Sequence, residues 1–179
     1  MKSSSFQIFG FLGILILVVF ASGCTSSSNT YNANGISFNY PSNWTELSPD
    51  KVTFASGGNS TIIAAVADPN TIQNKNYQTL VLVQSINSTV SLSDAVNAFK
   101  NLIQSSGGQV VSEKSITVDG ISSTELVYTI SVNGVAKKEC LVIVPKNNKI
   151  YTITGSATST DFNGQQSNFD LIINSFKIQ

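Results

Sequence analysis

Two dipeptides, Asp119-Gly120 and Asn133-Gly134, constrain the fold of this chain more than any other feature. Each stands between runs rich in β-branched residues. Asp-Gly and Asn-Gly favour type I′ turns, because such turns need positive φ at both central positions. The two dipeptides therefore predict three consecutive antiparallel strands at residues 110–118, 121–132 and 135–144.

The same two-residue loops set the expected register of these strands. Lys114 is predicted to lie opposite Glu125, and Tyr128 opposite Glu139. A fourth strand over residues 149–156 would follow a turn at 146–148, which completes an antiparallel meander. Earlier runs with strand-like composition add strands at 35–41, near 44–47, at 61–66 and at 79–86, the last two separated by a polar loop.

Two stretches predict amphipathic helices. Ser91 can accept a hydrogen bond from the backbone N–H of Asp94, whose side chain can reach back as in a capping box. Apolar residues between positions 92 and 103 then share one face, and Gly107-Gly108 is typical of a helix end. A second helix is expected over about residues 163–175. We therefore predict an α+β domain over residues 35–179, with a central antiparallel sheet, a meander, flanked by two or more helices.

The N-terminal segment predicts export from the cytoplasm. Lys2 precedes an apolar run from Phe6 to Ala21, and small residues then lead to Cys24, the pattern of a secretory signal. This ending resembles the lipobox of prolipoproteins, in which the cysteine thiol is acylated and becomes the new N-terminus. We expect a signal peptide at residues 1–23, lipidation of Cys24, and a protein on the outer, extracytoplasmic face of the cell membrane.

Two alternatives to lipidation stay open at this stage. The segment could be an uncleaved anchor, although its roughly 15 apolar residues fall short of the about 20 that span a bilayer. It could also be an ordinary signal peptide that releases a secreted protein. Residues 25–34 are mainly Ser, Thr and Asn and offer little apolar surface to offset ordering entropy. We therefore expect residues 24–34 to be a lipidated, flexible tether.

Composition argues against several classes of function. The chain has no His, the commonest general base and transition-metal ligand. All ten basic residues are Lys and are balanced by ten acidic ones, which disfavours nucleic-acid binding. The sequence holds no Gly-x-Ser-x-Gly motif, no phosphate-binding glycine loop and no calcium-loop spacing. We expect no catalytic residues, no cofactor and no metal site.

A few single residues are candidates for a role. Cys140 lies within a predicted strand and is expected to be a buried, inert thiol, unpaired if Cys24 carries lipid. Tyr40 and Trp44 would either anchor the core or form an exposed aromatic platform that faces a ligand. N-glycosylation sequons begin at three asparagines, which matter only in a host that glycosylates its surface proteins: Asn43, Asn59 and Asn87.

Residues 35–44, Gly-Ile-Ser-Phe-Asn-Tyr-Pro-Ser-Asn-Trp, resemble the opening motif of the PsbP-like proteins. That family includes photosystem extrinsic subunits and many microbial lipoproteins. The order of predicted elements agrees with the family through to the final Ser175-Phe176-Lys177-Ile178. The resemblance implies a non-enzymatic binding or assembly role on a central antiparallel sheet flanked by helices. Photosynthetic members add a His-containing surface that this chain lacks, so a photosystem function is not implied.

These observations predict a non-enzymatic cell-surface lipoprotein. It would be a binding or accessory module that docks to an unknown envelope protein or small ligand through one sheet face or loop edge. The alternative is an envelope hydrolase whose Ser–Lys or carboxylate site forms only in three dimensions, in a concave pocket with shifted pKa values. A weaker alternative is a structural glycoprotein of the surface layer.

Overall fold

The computed structural model of the chain describes residues 27–48, 60–73 and 76–179. The predicted signal peptide, Cys24 and Asn59 lie outside these residues. In the described part of the chain, no helix is long and apolar enough to cross a membrane. The elements, with a 3-10 turn at Pro69–Thr71, are β1 Ser28–Ala33, β2 Ile36–Pro41, β3 Thr45–Glu46, β4 Ser60–Ala67, β5 Ile72–Gln73, β6 Asn76–Tyr77, β7 Leu80–Asn87, α1 Leu92–Ser105, β8 Gln109–Val118, β9 Ile121–Val132, β10 Val135–Lys146, β11 Lys149–Thr158, α2 Phe162–Ser175 and β12 Lys177–Ile178.

A seven-stranded antiparallel sheet, in the order β3-β4-β7-β11-β10-β9-β8, forms the centre of the molecule. The predicted meander β8-β9-β10-β11 is confirmed by the antiparallel pairing of its strands. The turn residues Asp119, Gly120, Asn133 and Gly134 all have φ between +51° and +79°, as type I′ turns require. Lys114 pairs with Glu125 and Tyr128 with Glu139, as the turn lengths predict. The third turn is only Asn147-Asn148, so β10 extends to Lys146.

A second sheet, in the order β1-β2-β12, corrects one prediction. Ser28–Ala33 pairs with β2 along its whole length, so the expectation of a flexible tether is wrong for residues 28–33. The backbone N–H and C=O groups of this polar segment that face β2 form hydrogen bonds with it. Tyr31 also stacks on Phe38 at 5.0 Å between ring centroids and donates to the Ile63 carbonyl at 2.8 Å. Pairing with β2 and one aromatic contact order a segment that has little apolar surface of its own.

Each face of the large sheet is covered by one helix. The aromatic and aliphatic side chains of α2 and β2, including Phe38, Phe169, Ile172 and Phe176, form one core against the sheet. On the opposite face, α1 packs over β8, β9 and β10. The predicted helix limits are confirmed: Ser91 Oγ accepts from the Asp94 N–H at 3.1 Å, and Gly107 has φ +78°. The molecule is an α+β domain, as expected.

The strand register defines two ends of the molecule, and we call the first the entry pole. The described chain enters here, since β1 begins and β2 ends at this pole. The Ser42 N–H donates to the Ser27 carbonyl at 3.1 Å. Thr45 pairs with Ala67, which places the end of β4 at the same pole. The entry pole consists of the Ser42-Asn43 turn, the segment 68–79 as far as described, the Asn133-Gly134 turn and Ser159.

We call the opposite end the distal pole. Lys149 pairs with Asn87, which brings the end of β7 beside the turn between β10 and β11. The Ile178 N–H donates to Asp119 Oδ2 at 3.1 Å, which places the C-terminal strand there as well. The distal pole consists of residues 34–35, Asn87–Val90, the Asp119-Gly120 turn, the Asn147-Asn148 turn and β12.

Candidate functional site

A cleft of about 210 Å³ opens at the distal pole. One wall is the segment between β7 and α1, and the other is the turn that joins β10 to β11. The Ser88 N–H donates to the Asn148 carbonyl at 3.0 Å, which fixes the two walls together. Hydroxyl, amide and ammonium groups dominate the lining residues: Ser88, Thr89, Val90, Pro145, Lys146, Asn147, Asn148, Lys149 and Ile150.

A group of residues that we call the carboxylate clasp lies beside this cleft: Asp119, Lys146, Lys177 and Ile178. Asp119 Oδ2 accepts from the Ile178 N–H at 3.1 Å and from Lys146 Nζ at 3.3 Å. Its other oxygen lies 3.2 Å from Lys177 Nζ. The backbone hydrogen bond from Ile178, with help from the two lysines, holds the pKa of Asp119 below its usual range. One carboxylate faces two lysines here and Lys149 lines the cleft, so lysines outnumber acidic side chains among these residues.

A buried polar cluster lies on the sheet face that carries α1. Glu139 accepts from the Tyr128 hydroxyl through Oε2 and from the Ser156 hydroxyl through Oε1, the latter at 2.8 Å. All three residues are buried. Burial, together with the Glu139 charge, raises the pKa of Tyr128, so the phenol stays protonated and donates. Both carboxylate oxygens have donors, as a buried charge requires.

Lys137 lies on the same sheet face but makes a different contact. Burial lowers its pKa, and its Nζ donates to the Gln78 carbonyl at 2.6 Å. A Ser–Lys hydrolase would need the lysine to accept the serine proton. Here the Ser156 hydroxyl donates to Glu139 instead, and the ammonium is bound to a backbone carbonyl. The cluster therefore joins strands and a loop, and its contacts do not activate a nucleophile.

The described part of the chain contains no group of three or more His, Cys, Asp and Glu that could hold a metal ion. Cys140 is fully buried, and burial raises the pKa of its thiol to about 12. A thiol with such a pKa is protonated at neutral pH and is a poor nucleophile. The prediction of a buried, inert thiol is confirmed.

The aromatic platform suggested for Tyr40 and Trp44 is wrong, since they are only 6% and 4% exposed. The alternation of β2 directs Tyr40 toward the core, and its hydroxyl donates to Glu46 Oε1 at 2.8 Å. Trp44 packs edge-on against Phe169 of α2, with the ring centroids 6.4 Å apart. The alternative that these two residues anchor the core is correct, because large aromatic side chains stabilise the fold most when they are buried.

The described sequon asparagines lie at opposite ends of the molecule. Asn43 is exposed in the turn at the entry pole, and Asn87 is exposed at the end of β7, beside the cleft. Asn59 is outside the described residues. Glycosylation of these positions stays a prediction.

Sequence reasoning missed the cleft and the clasp. The cleft has no motif, because its walls come from segments that are far apart in the chain. Asp119 was assigned only to its turn, whereas its carboxylate also binds a strand 59 residues later. The sequence shows Asp119 in one hairpin turn and Lys177 near the C-terminus, but opposite charges alone do not predict that two distant residues are in contact.

The PsbP-like protein family matches residues 21–178. No curated protein matches the chain. Cyanobacterial PsbP (CyanoP) from Synechocystis has a similar solved structure, with 17% identity, a TM-score of 0.61, and coverage of 97% of this chain and 98% of that one. LpqN of Mycobacterium tuberculosis, described as involved in cell envelope biogenesis, has 11% identity, a TM-score of 0.60, and coverage of 86% and 91%. At these identities the likeness shows the fold.

Proposed function

The chain belongs to the PsbP-like protein family, and from that premise we propose that it is a non-enzymatic, lipid-anchored accessory protein of the cell envelope. Acylated Cys24 holds it on the outer face of the membrane. Its distal cleft binds an envelope partner that carries acidic or hydroxyl-rich groups. The likeness to LpqN, whose description names envelope biogenesis, supports the location.

The observation that carries this proposal is the position and chemistry of the cleft. It opens at the pole opposite to the one where the described chain begins, three residues after Cys24. A partner therefore reaches it from the side away from the membrane. Its lining includes the amide and hydroxyl residues Ser88, Thr89 and Asn147 and the exposed Lys149. Lys146 also lines it, but its ammonium group is bonded to Asp119 and to the Ile178 carbonyl. Such groups recognise carboxylates, phosphates or sugar hydroxyls.

Mass spectrometry of the mature protein from its own host tests the location. We expect an N-terminus at Cys24 with the added mass of a lipid group, and partition into the detergent phase. In the Cys24→Ser variant we expect the lipid mass to be lost. An intact Met1 with no added mass on the native chain would contradict the proposal.

Site-specific photo-crosslinking in intact cells tests the partner site. We expect photoreactive residues at Thr89 and at Lys149 to give the same crosslinked species, since both line the cleft. Exposed Gln109, at the entry end of β8, is the control position and should not give that species. Lys149→Glu should weaken capture at Thr89. Equal capture from all three positions would count against a cleft-specific partner.

A further inference from the structure

We infer that the entry pole rests directly on the membrane surface and that its apolar side chains, Ile72 and Val132, contact the lipid interface. This inference rests on the proposed attachment of lipid to Cys24. It adds an orientation and a second surface to that proposal: one pole faces the lipid headgroups and the other faces the partner.

The length of chain between the lipid and the folded body supports this orientation. Ser27 is fixed to the Ser42-Asn43 turn by two contacts, a backbone hydrogen bond of 3.1 Å and hydroxyl oxygens 2.6 Å apart. Only three peptide steps separate Cys24 from Ser27. At no more than 3.3–3.6 Å per residue they span about 10 Å. The headgroup region on one side of a bilayer is about 5–8 Å thick, so the acylated chain has little slack to lift this turn away from the headgroups.

Exposed apolar side chains are concentrated toward the same end. In the described part of the chain, Ile72 is 49% exposed and Val132 is 42% exposed, and both lie at the entry pole. Leu102, in the last turn of α1, and Val111, near the start of β8, are exposed in the same half. Among the residues that the structure describes, Val90 is the exposed large apolar residue at the distal pole. Single exposed apolar residues are normal, but their concentration beside the tether fits an interfacial contact.

The β5-β6 hairpin, whose residues 74 and 75 are outside the described part of the chain, holds Ile72 at this pole. The hairpin leaves the sheet after β4 and returns before β7, with Ile72 paired to the half-buried Tyr77. Aliphatic and tyrosine side chains are favoured at the boundary between lipid and water. The base of the hairpin is held by the Gln78 N–H, which donates to the Thr71 carbonyl at 3.0 Å, and by Lys137 Nζ, which donates to the Gln78 carbonyl at 2.6 Å.

The positions of the lysines indicate that the contact with lipid is apolar and not electrostatic. Of the described lysines at the entry end of β10, Lys137 is buried and bonded to the hairpin, and Lys138 Nζ lies 4.9 Å from the centre of the Phe162 ring. Lys146, Lys149 and Lys177 lie at the distal pole, and Lys75 is outside the described residues. Anionic lipid would attract the distal lysines and tilt the molecule the other way. We therefore expect the contact to form on uncharged phosphatidylcholine and to persist at high salt, since salt screens charges but not apolar burial.

Fluorescence quenching on vesicles tests the orientation. The full acylated chain is reconstituted in phosphatidylcholine vesicles that contain headgroup-nitroxide lipid. It carries one fluorophore, at Ser159→Cys on the entry pole or at Lys149→Cys on the distal pole. Native Cys140 is fully buried and does not compete for label. We expect quenching several-fold stronger at position 159 than at position 149.

A matched pair of charge substitutions tests the apolar contact. Ile72→Asp should reduce quenching at position 159, because a carboxylate resists transfer into the interface. Val90→Asp at the distal pole changes a side chain of nearly equal exposure, 51% against 49%, and should leave quenching unchanged.

The outcomes separate this inference from the proposal beneath it. A chain that does not float with vesicles and carries no lipid mass overturns both. A chain that floats and carries lipid, but is quenched equally at both positions or more strongly at 149, leaves acylation in place and overturns the orientation. An unchanged signal for Ile72→Asp overturns the apolar contact at the hairpin.

Discussion

Asp119 shows how one residue can serve both local and long-range structure. Its positive φ of 52° is what the first turn of the meander demands, and an Asp-Gly pair supplies that conformation. The same side chain accepts from the Ile178 N–H and lies within 3.3 Å of the ammonium groups of Lys146 and Lys177. A turn residue therefore fastens the C-terminal strand to the distal pole, close to the cleft.

Asp119→Asn isolates the charge of this clasp, because Asn-Gly forms the same turn. At pH 7 we expect a loss of about 1–1.5 kcal/mol in the free energy of unfolding. Asn keeps an acceptor oxygen, so the loss is the difference between a hydrogen bond to a charged group, about 1.5–3 kcal/mol, and a neutral one, about 0.5–1.5 kcal/mol. The folded pKa of Asp119 is lowered, so its stabilisation is present above the unfolded value of about 3.9 and is lost as pH falls through the folded pKa. Urea unfolding from pH 7 to below pH 3 measures this.

The way in which the loss of unfolding free energy varies with pH tests the role of the Asp119 charge more directly than the size of the loss does. The difference between Asp119→Asn and the native chain should shrink as the solution is acidified. Asn133→Asp introduces a carboxylate into the equivalent exposed turn, away from the lysines of the distal pole, and should change stability by less than about 0.5 kcal/mol. A difference that stays constant with pH would show that the carboxylate charge is not the cause.

Gly155 sets how closely α2 approaches the sheet. A Cβ at this position would lie 2.8 Å from Cys140 Sγ and 2.9 Å from the Phe169 ring. Gly155 is paired with Cys140 across β10 and β11, so the glycine leaves the space into which the helix ring and the thiol pack. The contact explains why a strand otherwise rich in β-branched residues carries a glycine.

Gly155→Ala should destabilise the domain by about 1–3 kcal/mol, the usual cost of an overpacked core. Gly164→Ala, in the first turns of α2, is the matched control, because a Cβ there meets nothing within 4 Å. It should stabilise by up to about 1 kcal/mol through helix propensity. Thermal unfolding of both variants measures the contrast. Equal effects would mean that α2 shifts to relieve the clash.

At the scale of elements, prediction succeeded where the signal is local. The meander follows from turn dipeptides, and both helices follow from periodic apolar residues and, for α1, from its cap. Strand β1 was missed because nothing local specifies it. Its polar residues gain order only from β2, which lies after the next turn, and from the stack of Tyr31 on Phe38. Strand propensity depends on such tertiary neighbours more than on composition.

Hydrogen exchange tests whether β1 is a firm part of the fold. We expect the paired amides of Ser28–Ala33 to be protected in the native chain, because they bond to β2. Tyr31→Ala removes the aromatic stack and the hydrogen bond to Ile63, and should speed exchange across β1 while α1 stays protected. Fast exchange of β1 in the native chain would restore the flexible tether that the sequence suggested.

At the scale of the whole molecule, the strand directions bring distant parts of the chain together at two opposite poles. Residues that are far apart in the chain meet at the distal pole to form the cleft, while the strand that follows Cys24 begins at the entry pole. No sequence pattern reports this arrangement, since it depends on the direction of every strand. In the proposed orientation, each exposed position has an expected distance from the membrane, and this distance predicts which positions can be modified.

The two described sequons should therefore differ. In a host that glycosylates surface proteins, we expect a glycan at Asn87, which is exposed at the distal pole, and none at Asn43 of the acylated chain. Asn43 follows Ser42, which is bonded to Ser27, so a tether of about 10 Å leaves little room for a bulky glycan against the headgroups.

Glycopeptide mass spectrometry of the native protein and of the Cys24→Ser variant measures the occupancy of each sequon. Asn87→Gln should abolish the signal of the glycopeptide that contains residue 87, and Asn43→Gln should leave that signal unchanged. An occupied Asn43 on the lipid-bearing native chain would mean that the entry pole stands clear of the bilayer. The glycan would then contradict the orientation, because a sugar chain and a headgroup surface cannot occupy the same narrow space.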